Sequence, residues 1–441
     1  MSLTTIEQSF DLTKSQFQGL VAGFKQEYDQ GLNTAEAKGL ATMIPSYVTR
    51  LPTGQEKGTF LALDLGGSTL RVCAVHLLGQ GKNVNVKVTA LINDTVGVLV
   101  AHAYSDPKAR IGFIYGTGVN AAYPEKISKM VKLGSDYKQH HDDENMLVNT
   151  EIDIFGSEAY LPLNQYDRTM DANHNQPEFQ LYEKMMSGAY LGELVRLAAL
   201  DLIQENALFD GHLPLEFKSM YSFETAQLSD LESRCDDPLE SRLQHLRSVF
   251  SFDSSTYQLT DRDLTTMEAL CRAVATRGAK LAAAALASLI EQQQEELLHK
   301  TDEPIVIGIN GSTFELYPQM PERILASLSD WFGPAVADRI RLDVARDGAG
   351  IGGALIAMLY ADKQLDQRHV SSSSSSTLDK PKATESQDKS PVKPNGIPPP
   401  PSLSACLFGW WAPLKLWLQN GSGSPTTTTV PHEQHHSKDL E

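Results

Sequence analysis

The sequence predicts an α/β fold on two observations: short β-branched runs that end in glycine-hydroxyl turns, and long helical stretches set between them. Composition bounds the rest. Of 441 residues, 41% are hydrophobic and 21% charged, enough to bury a core, and the length suggests about two or three domains. Lys+Arg 38 against Asp+Glu 55 leaves a formal charge of −17, which disfavours nucleic acid and anionic membrane surfaces as partners. Cys73, Cys235, Cys271 and Cys406 lie far apart with no CxxC pair. That argues against a disulfide framework or a thiolate zinc site, and for a reducing, cytoplasmic compartment. No secretory leader is read at the start, and the apolar run 405–418, interrupted by Pro413 and Lys415, is too short for a membrane span.

Taken in order, residues 1–50 read as helical: Phe17, Leu20, Val21 and Phe24 recur at helical spacing, and 36–44 continue the period. At Thr59 the pattern changes. Phe60-Leu61-Ala62-Leu63 is a strand run entering Asp64-Leu65-Gly66-Gly67-Ser68-Thr69, and Leu70-Arg71-Val72-Cys73-Ala74-Val75 is its return strand. Val84, Val86 and Val88 alternate along a further expected strand, 83–92. Residues 111–115 and 119–123 flank Gly116-Thr117-Gly118 as a second hairpin. Segments 183–207 and 263–298 read as helices. A strand over 305–309 enters Asn310-Gly311-Ser312-Thr313, and the glycine-rich stretch 347–353 opens an apolar helix over 354–360. From residue 370 the apolar period disappears into serine, proline and threonine runs, the composition of a disordered tail. Three of the four tryptophans, Trp410, Trp411 and Trp417, sit there, as an apolar island or as a docking motif for a protein partner.

The glycine turns carry the chemistry. Phosphate binding needs backbone N–H groups aimed at the anion, and glycine lets the chain approach without a Cβ. One such turn is ordinary hairpin chemistry. Four of them, at 66–69, 116–118, 311–313 and 348–353, favour a nucleotide cleft, though none is a Walker A. Asp64 directly precedes the first, where a carboxylate could hold Mg2+ through water or simply satisfy the turn. Asp94, in Ile92-Asn93-Asp94-Thr95, is a candidate proton acceptor or a helix N-cap. Glu151 and Glu183 could accept hydrogen bonds from a polyol, although by spacing alone each reads as a solvated surface acid.

The motifs DLGGST, INDTVG, GTGVNAAY, VNTE, YEKMMSGAYLGELVRL, IGINGSTFELYP and RDGAGIGGALI, in this order, resemble the hexokinase/glucokinase family over roughly residues 17–359. The resemblance implies an actin-like ATPase (ribonuclease H-like) fold of two lobes. It also implies transfer of the γ-phosphoryl of Mg-ATP to the 6-hydroxyl of a hexose, glucose or fructose. Carried over residue by residue, Asp64, Gly66, Gly67, Ser68 and Thr69 belong to the first phosphate loop, and Arg71 follows it. Gly116, Thr117 and Gly118 form the second phosphate loop. Gly311, Ser312, Gly348 and Gly350 lie about the adenosine. Asp94 is the catalytic base, with Asn93, Asn120, Glu151 and Glu183 as sugar ligands.

The chain departs from the family in one large respect. Only residues 76–92 separate Val75 from Asn93, where the family places most of its small lobe, so on the order of a hundred residues are absent. Smaller departures include Ile152-Asp153-Ile154 after Glu151, Asn310 before the adenosine-loop glycine, and Ala349 in the last glycine-rich stretch. The expected organisation is therefore N-terminal helices with a truncated small lobe over 1–92, a large lobe over 93–362 and a tail over 363–441. The alternative function is a catalytically degenerate regulator that binds ATP or a protein partner.

Overall fold

The computed structural model describes residues 2–34, 42–52, 61–65, 70–74, 92–141, 143–253, 257–300 and 302–359, without the side chains of 61–65 and 70–74. Along these residues run strands β1 (Ile44–Pro45), β2 (Leu61–Leu65), β3 (Leu70–Ala74), β4 (Ala109–Tyr115), β5 (Val119–Lys126), β6 (Asn145–Asn149), β7 (Ile305–Asn310) and β8 (Ile340–Val344). β2 and β3 pair antiparallel as a separate sheet with Asp64 opposite Arg71, the hairpin expected about the first glycine turn. The other six form one mixed sheet in the order β1-β6-β5-β4-β7-β8. β4, β5 and β6 are antiparallel neighbours, whereas β4, β7 and β8 run parallel. The hairpin about Gly116-Thr117-Gly118 forms as expected, with Tyr115 opposite Val119.

The pleat sorts the sheet's side chains into two cores. Ile111, Phe113 and Tyr115 of β4, with Ala121 and Tyr123 of β5, enter a large core shared with helices Lys14–Asn33, Leu191–Gln204, Asp261–Gln292 and Met320–Phe332. Ala122, Leu147 and Val306 on the opposite face meet Val96, Leu99 and Val100 of helix Asp94–Ser105. Leu355, Ile356 and Leu359 of helix Gly348–Leu359 complete that smaller core.

The N-terminal helices Leu3–Phe10 and Lys14–Asn33 belong to the large core. Thr13 and Gln16 close a capping box at the start of the second. Farther along, Tyr28 Oη lies 2.9 Å from Ser288 Oγ, and Lys25 Nζ 2.8 Å from Glu291 Oε2. Helix Asp261–Gln292 is long and apolar enough to cross a bilayer, but 83% of its most apolar window is buried inside the protein. It is a core helix. Two of its buried charged residues are paired: Arg277 bonds Asp167, and Glu268 bonds Arg242.

Three expectations change. Residues 35–41 lie outside the described residues, and Ile44, expected in a helix, pairs with Asn149 in β1 because the sheet edge offers it backbone partners. The stretch 183–207 is two helices, Leu181–Met186 and Leu191–Gln204. The apolar helix near the C-terminal end of the described region starts at Gly348, six residues ahead of its expected start at Ala354. The expected strand over 83–91 and the tail from residue 370 lie outside the described residues.

Candidate active site

Asn93 is the N-cap of helix Asp94–Ser105, and its Oδ1 accepts from the Thr95 N–H at 2.9 Å. Asp94 is the first helical residue, and its Oδ1 accepts from the same N–H at 2.8 Å. The cap role thus falls to Asn93, while Asp94 stands exposed at the positive end of the helix, where a carboxylate is stabilised. Beside it, β5 and the end of β6 bring together Asn120, Asn149 and Glu151. Asn120 Nδ2 donates to Asn149 Oδ1 at 3.0 Å and to Glu151 Oε1 at 3.4 Å. Asn149 Nδ2 donates to the same Oε1, and Asn93 Nδ2 reaches it at 3.5 Å. Glu151 therefore gathers amide donors from three directions, and does so from a left-handed backbone conformation with φ 53°.

Glu183 comes from the first turn of helix Leu181–Met186, and its Oε2 accepts from the Val119 N–H at 2.9 Å. A Cβ at Gly118 would fall 2.6 Å from that oxygen, so the glycine turn is what lets the carboxylate in. Burial pushes the Glu151 carboxyl up to about 7, with the charges of Asp153 and Asp94 adding to it and the Asn149 and Asn120 amides opposing. Burial likewise pushes Glu183 up to about 7 against the Val119 N–H, helped by Asp153 and Glu151. Neither acid is the solvated surface residue that its spacing suggests.

Sequence reasoning passed over three residues of this cluster. Asn149 lies inside the quoted VNTE motif, which was the available signal. Asp153 showed only as part of the departure Ile152-Asp153-Ile154 and Gln180 not at all, because their contact depends on the fold: Gln180 Nε2 donates to Asp153 Oδ2 at 2.8 Å. Gln180 also holds a left-handed backbone, with φ 55°.

The phosphate-type turns gather nearby. Gly116 O accepts from the Gly188 N–H at 2.8 Å and from Thr313 Oγ1 at 2.8 Å, tying the β4–β5 turn to the turn after β7. Gly311 sits at φ 137°, and a Cβ there would lie 2.4 Å from Tyr115 O. Only glycine allows that approach. Gly348 and Gly350 are buried inside helix Gly348–Leu359 and not in a loop. The glycines there let two backbones meet: a Cβ at Gly352 would fall 2.0 Å from Gly97 O in helix Asp94–Ser105. Gly352→Ala is accordingly expected to cost about 1–3 kcal/mol through overpacking. Denaturant unfolding reads this as a lowered midpoint, and an unchanged midpoint counts against the contact.

Gly66, Gly67, Ser68 and Thr69 lie outside the described residues, and Asp64 and Arg71 are described by backbone alone. Among the described residues, no group of three or more His, Cys, Asp and Glu side chains is placed to hold a metal. The cluster of Asn93, Asn120, Glu151 and Glu183 combines amide donors with carboxylate acceptors, the two kinds of partner that hydroxyls use. A donated hydroxyl favours the ionised carboxylate, so a polyol bound here would lower both raised pKa values. Affinity should therefore rise with pH through about 7 as Glu151 and Glu183 ionise, and binding below that midpoint should release protons. Calorimetric titration in buffers of different ionisation heat reads both, and a flat affinity would remove these acids from the ligand set.

Two family models described as hexokinase match residues 110–359 and 2–85 of the chain. Hexokinase-1 of Schizosaccharomyces pombe is 27% identical over 456 aligned positions that take in 81% of this chain and 90% of the relative. Hexokinase-2 of Solanum tuberosum is 30% identical, over 80% of this chain and 70% of its own. A solved hexokinase of Schistosoma mansoni, in complex with glucose, superposes with a TM-score of 0.66 at 26% identity, covering 81% of this chain and 98% of that one.

Proposed function

The chain belongs to the hexokinase family of sugar phosphotransferases, and on that premise we propose that it transfers the γ-phosphoryl of Mg-ATP to the 6-hydroxyl of glucose or a related hexose such as fructose. The convergence of Asn93, Asn120, Glu151 and Glu183 beside Asp94 carries this reading. The relative solved with glucose adds to it. Glu151 and Glu183 accept hydroxyl hydrogen bonds, Asn93 and Asn120 donate them, and Asp94 takes the proton of the attacking hydroxyl. Holding that hydroxyl in place is itself a large part of such catalysis.

For the nucleotide, the fit rests on the turns at Gly116-Thr117-Gly118 and Gly311-Ser312. A Cβ at Gly116 would come 3.2 Å from Gly311 Cα, so neither glycine puts a side chain between the two. With Gly66, Gly67, Ser68, Thr69 and Arg71 they would hold the phosphates, with Gly348 and Gly350 toward the adenosine and Asp64 toward magnesium. Magnesium supplies charge neutralisation of the phosphates when bound. The cytoplasmic placement argued from the cysteines suits this reading.

A second reading has its own support. Asp94 is exposed to solvent, and only residues 76–92 stand where the family has most of its small lobe. The alignment with the Schizosaccharomyces pombe relative is also longer than the part of this chain it takes in. A chain without that wall would bind nucleotide or a protein partner as a regulator but exclude water poorly. A coupled phosphotransfer assay with saturating glucose and Mg-ATP, run beside melting curves with each ligand, separates the two. Turnover supports the kinase. A ligand-shifted cooperative melt without turnover moves the function to regulation.

A further inference from the structure

The turn that carries Glu151 also carries Asp153, which has no part in the scheme above. Its Oδ2 is fixed by Gln180 Nε2 at 2.8 Å, so the carboxylate bridges the Glu151 turn and the residue that leads into the Glu183 helix. Its Oδ1 is closed off from solvent and has no hydrogen-bond partner. The backbone N–H groups of Asp153 and Ile154 turn toward that carboxylate and hold its pKa down somewhat, but neither meets Oδ1 at hydrogen-bond geometry. A buried carboxylate oxygen without a donor is costly and calls for one that the chain does not supply. Asp153 also lies within electrostatic reach of Glu151, Glu183 and Asp94, which places it at the sugar cluster.

We propose that Asp153 is a further substrate-binding residue of this site, its Oδ1 accepting a hydrogen bond from a ring hydroxyl of the hexose held by Asn120, Glu151 and Glu183. The inference rests on the hexose reading above. Ring hydroxyls fit because they donate without adding negative charge to a group of four carboxylates. Burial already holds the Asp153 carboxyl above its usual range, against the Gln180 amide, and a donated hydroxyl offsets that cost. The residue lies in one of the departures from the family pattern, Ile152-Asp153-Ile154, so the contact is a property of this chain.

The test is calorimetric titration of the full chain with glucose and with each monodeoxyglucose, for the unmodified protein, Asp153→Asn and Asp153→Ala. The asparagine variant can keep the Gln180 bond but turns an amide donor toward the hydroxyl. It should bind glucose roughly tenfold to hundredfold more weakly. For one monodeoxy sugar, the one lacking the bonded hydroxyl, the loss should shrink to about twofold or less. Equal weakening for every analogue means that Asp153 only shapes the pocket, and overturns the inference. Unchanged glucose affinity in both variants overturns it too, and the alanine variant reports if the asparagine variant misfolds. Unmodified protein that binds no hexose overturns the sugar-site reading and this inference with it, which separates the two failures.

Discussion

Asp94→Ala is expected to lower kcat roughly 10²- to 10⁴-fold, the usual scale of one general base, while the fold persists. Asn93 caps helix Asp94–Ser105 independently, its Oδ1 accepting from the Thr95 N–H, so loss of the neighbouring carboxylate leaves the helix start closed. Asp94→Asn is the sharper control, since an amide can still accept from Thr95 but cannot take up a proton. Removing the Asp94 charge also eases Glu151 and Asp153, whose carboxyls burial holds up and to which that charge adds a little. Hexose affinity should therefore be kept or improved at neutral pH, and the loss should lie in kcat rather than KM. Turnover retained in both variants would place the base elsewhere.

The largest stability effect is expected far from that chemistry. Arg277, wholly buried in helix Asp261–Gln292, makes two bonds to Asp167, Nη1 to Oδ2 at 2.6 Å and Nη2 to Oδ1 at 2.7 Å. Nη2 also reaches Met185 O at 3.2 Å, and the guanidinium lies 4.7 Å from the centre of the Phe10 ring. Asp167 additionally accepts from the Asn164 N–H at 2.8 Å, closing the cap of helix Gln165–Ala172. Asp167→Ala would leave a buried guanidinium uncompensated and should destabilise the protein by about 3–5 kcal/mol. Replacing both partners together, Asp167→Leu with Arg277→Met, should recover much of that loss, because neither buried charge then remains. Chemical unfolding of the two single variants and the double variant reads the difference. A double variant no better than the sum of its parts would mean the pair is not coupled.

Local periodicity made most elements legible. The Phe17–Leu20–Val21–Phe24 spacing predicts helix Lys14–Asn33, and the Gly116-Thr117-Gly118 turn predicts the β4–β5 hairpin. What the sequence hid was decided by distant partners. Residues 183–207 carry one continuous helical period, yet Gly188 leaves the helix to donate to Gly116 O, some seventy residues earlier in the chain, and a tertiary bond overrides propensity. The glycines after Asp347 have the look of a loop, but they serve a backbone-to-backbone crossing with Gly97. At the site, Asn93, Asn120, Glu151 and Glu183 were legible because each lies in a recognisable motif. Asp153 and Gln180 were not, because a hydrogen bond across 27 residues leaves no local trace.

The docking of the first two helices onto helix Asp261–Gln292 has a consequence for how the protein is made. Their polar ties span nearly the whole described chain: Tyr28 to Ser288 is 260 residues apart, Lys25 to Glu291 266, and Lys280 to Asp11 269. At roughly 5–20 residues per second, the emerging N-terminal helices wait on the order of ten seconds to a minute for their partner. Through that interval Phe10, Phe24 and Tyr28 can already meet Tyr166, Phe155 and Tyr123 from the middle of the chain, whereas Phe17 still lacks Trp331 and all four lack the long helix. The packing of these two helices is thus completed in two stages during translation, first against the middle of the chain and last against helix Asp261–Gln292.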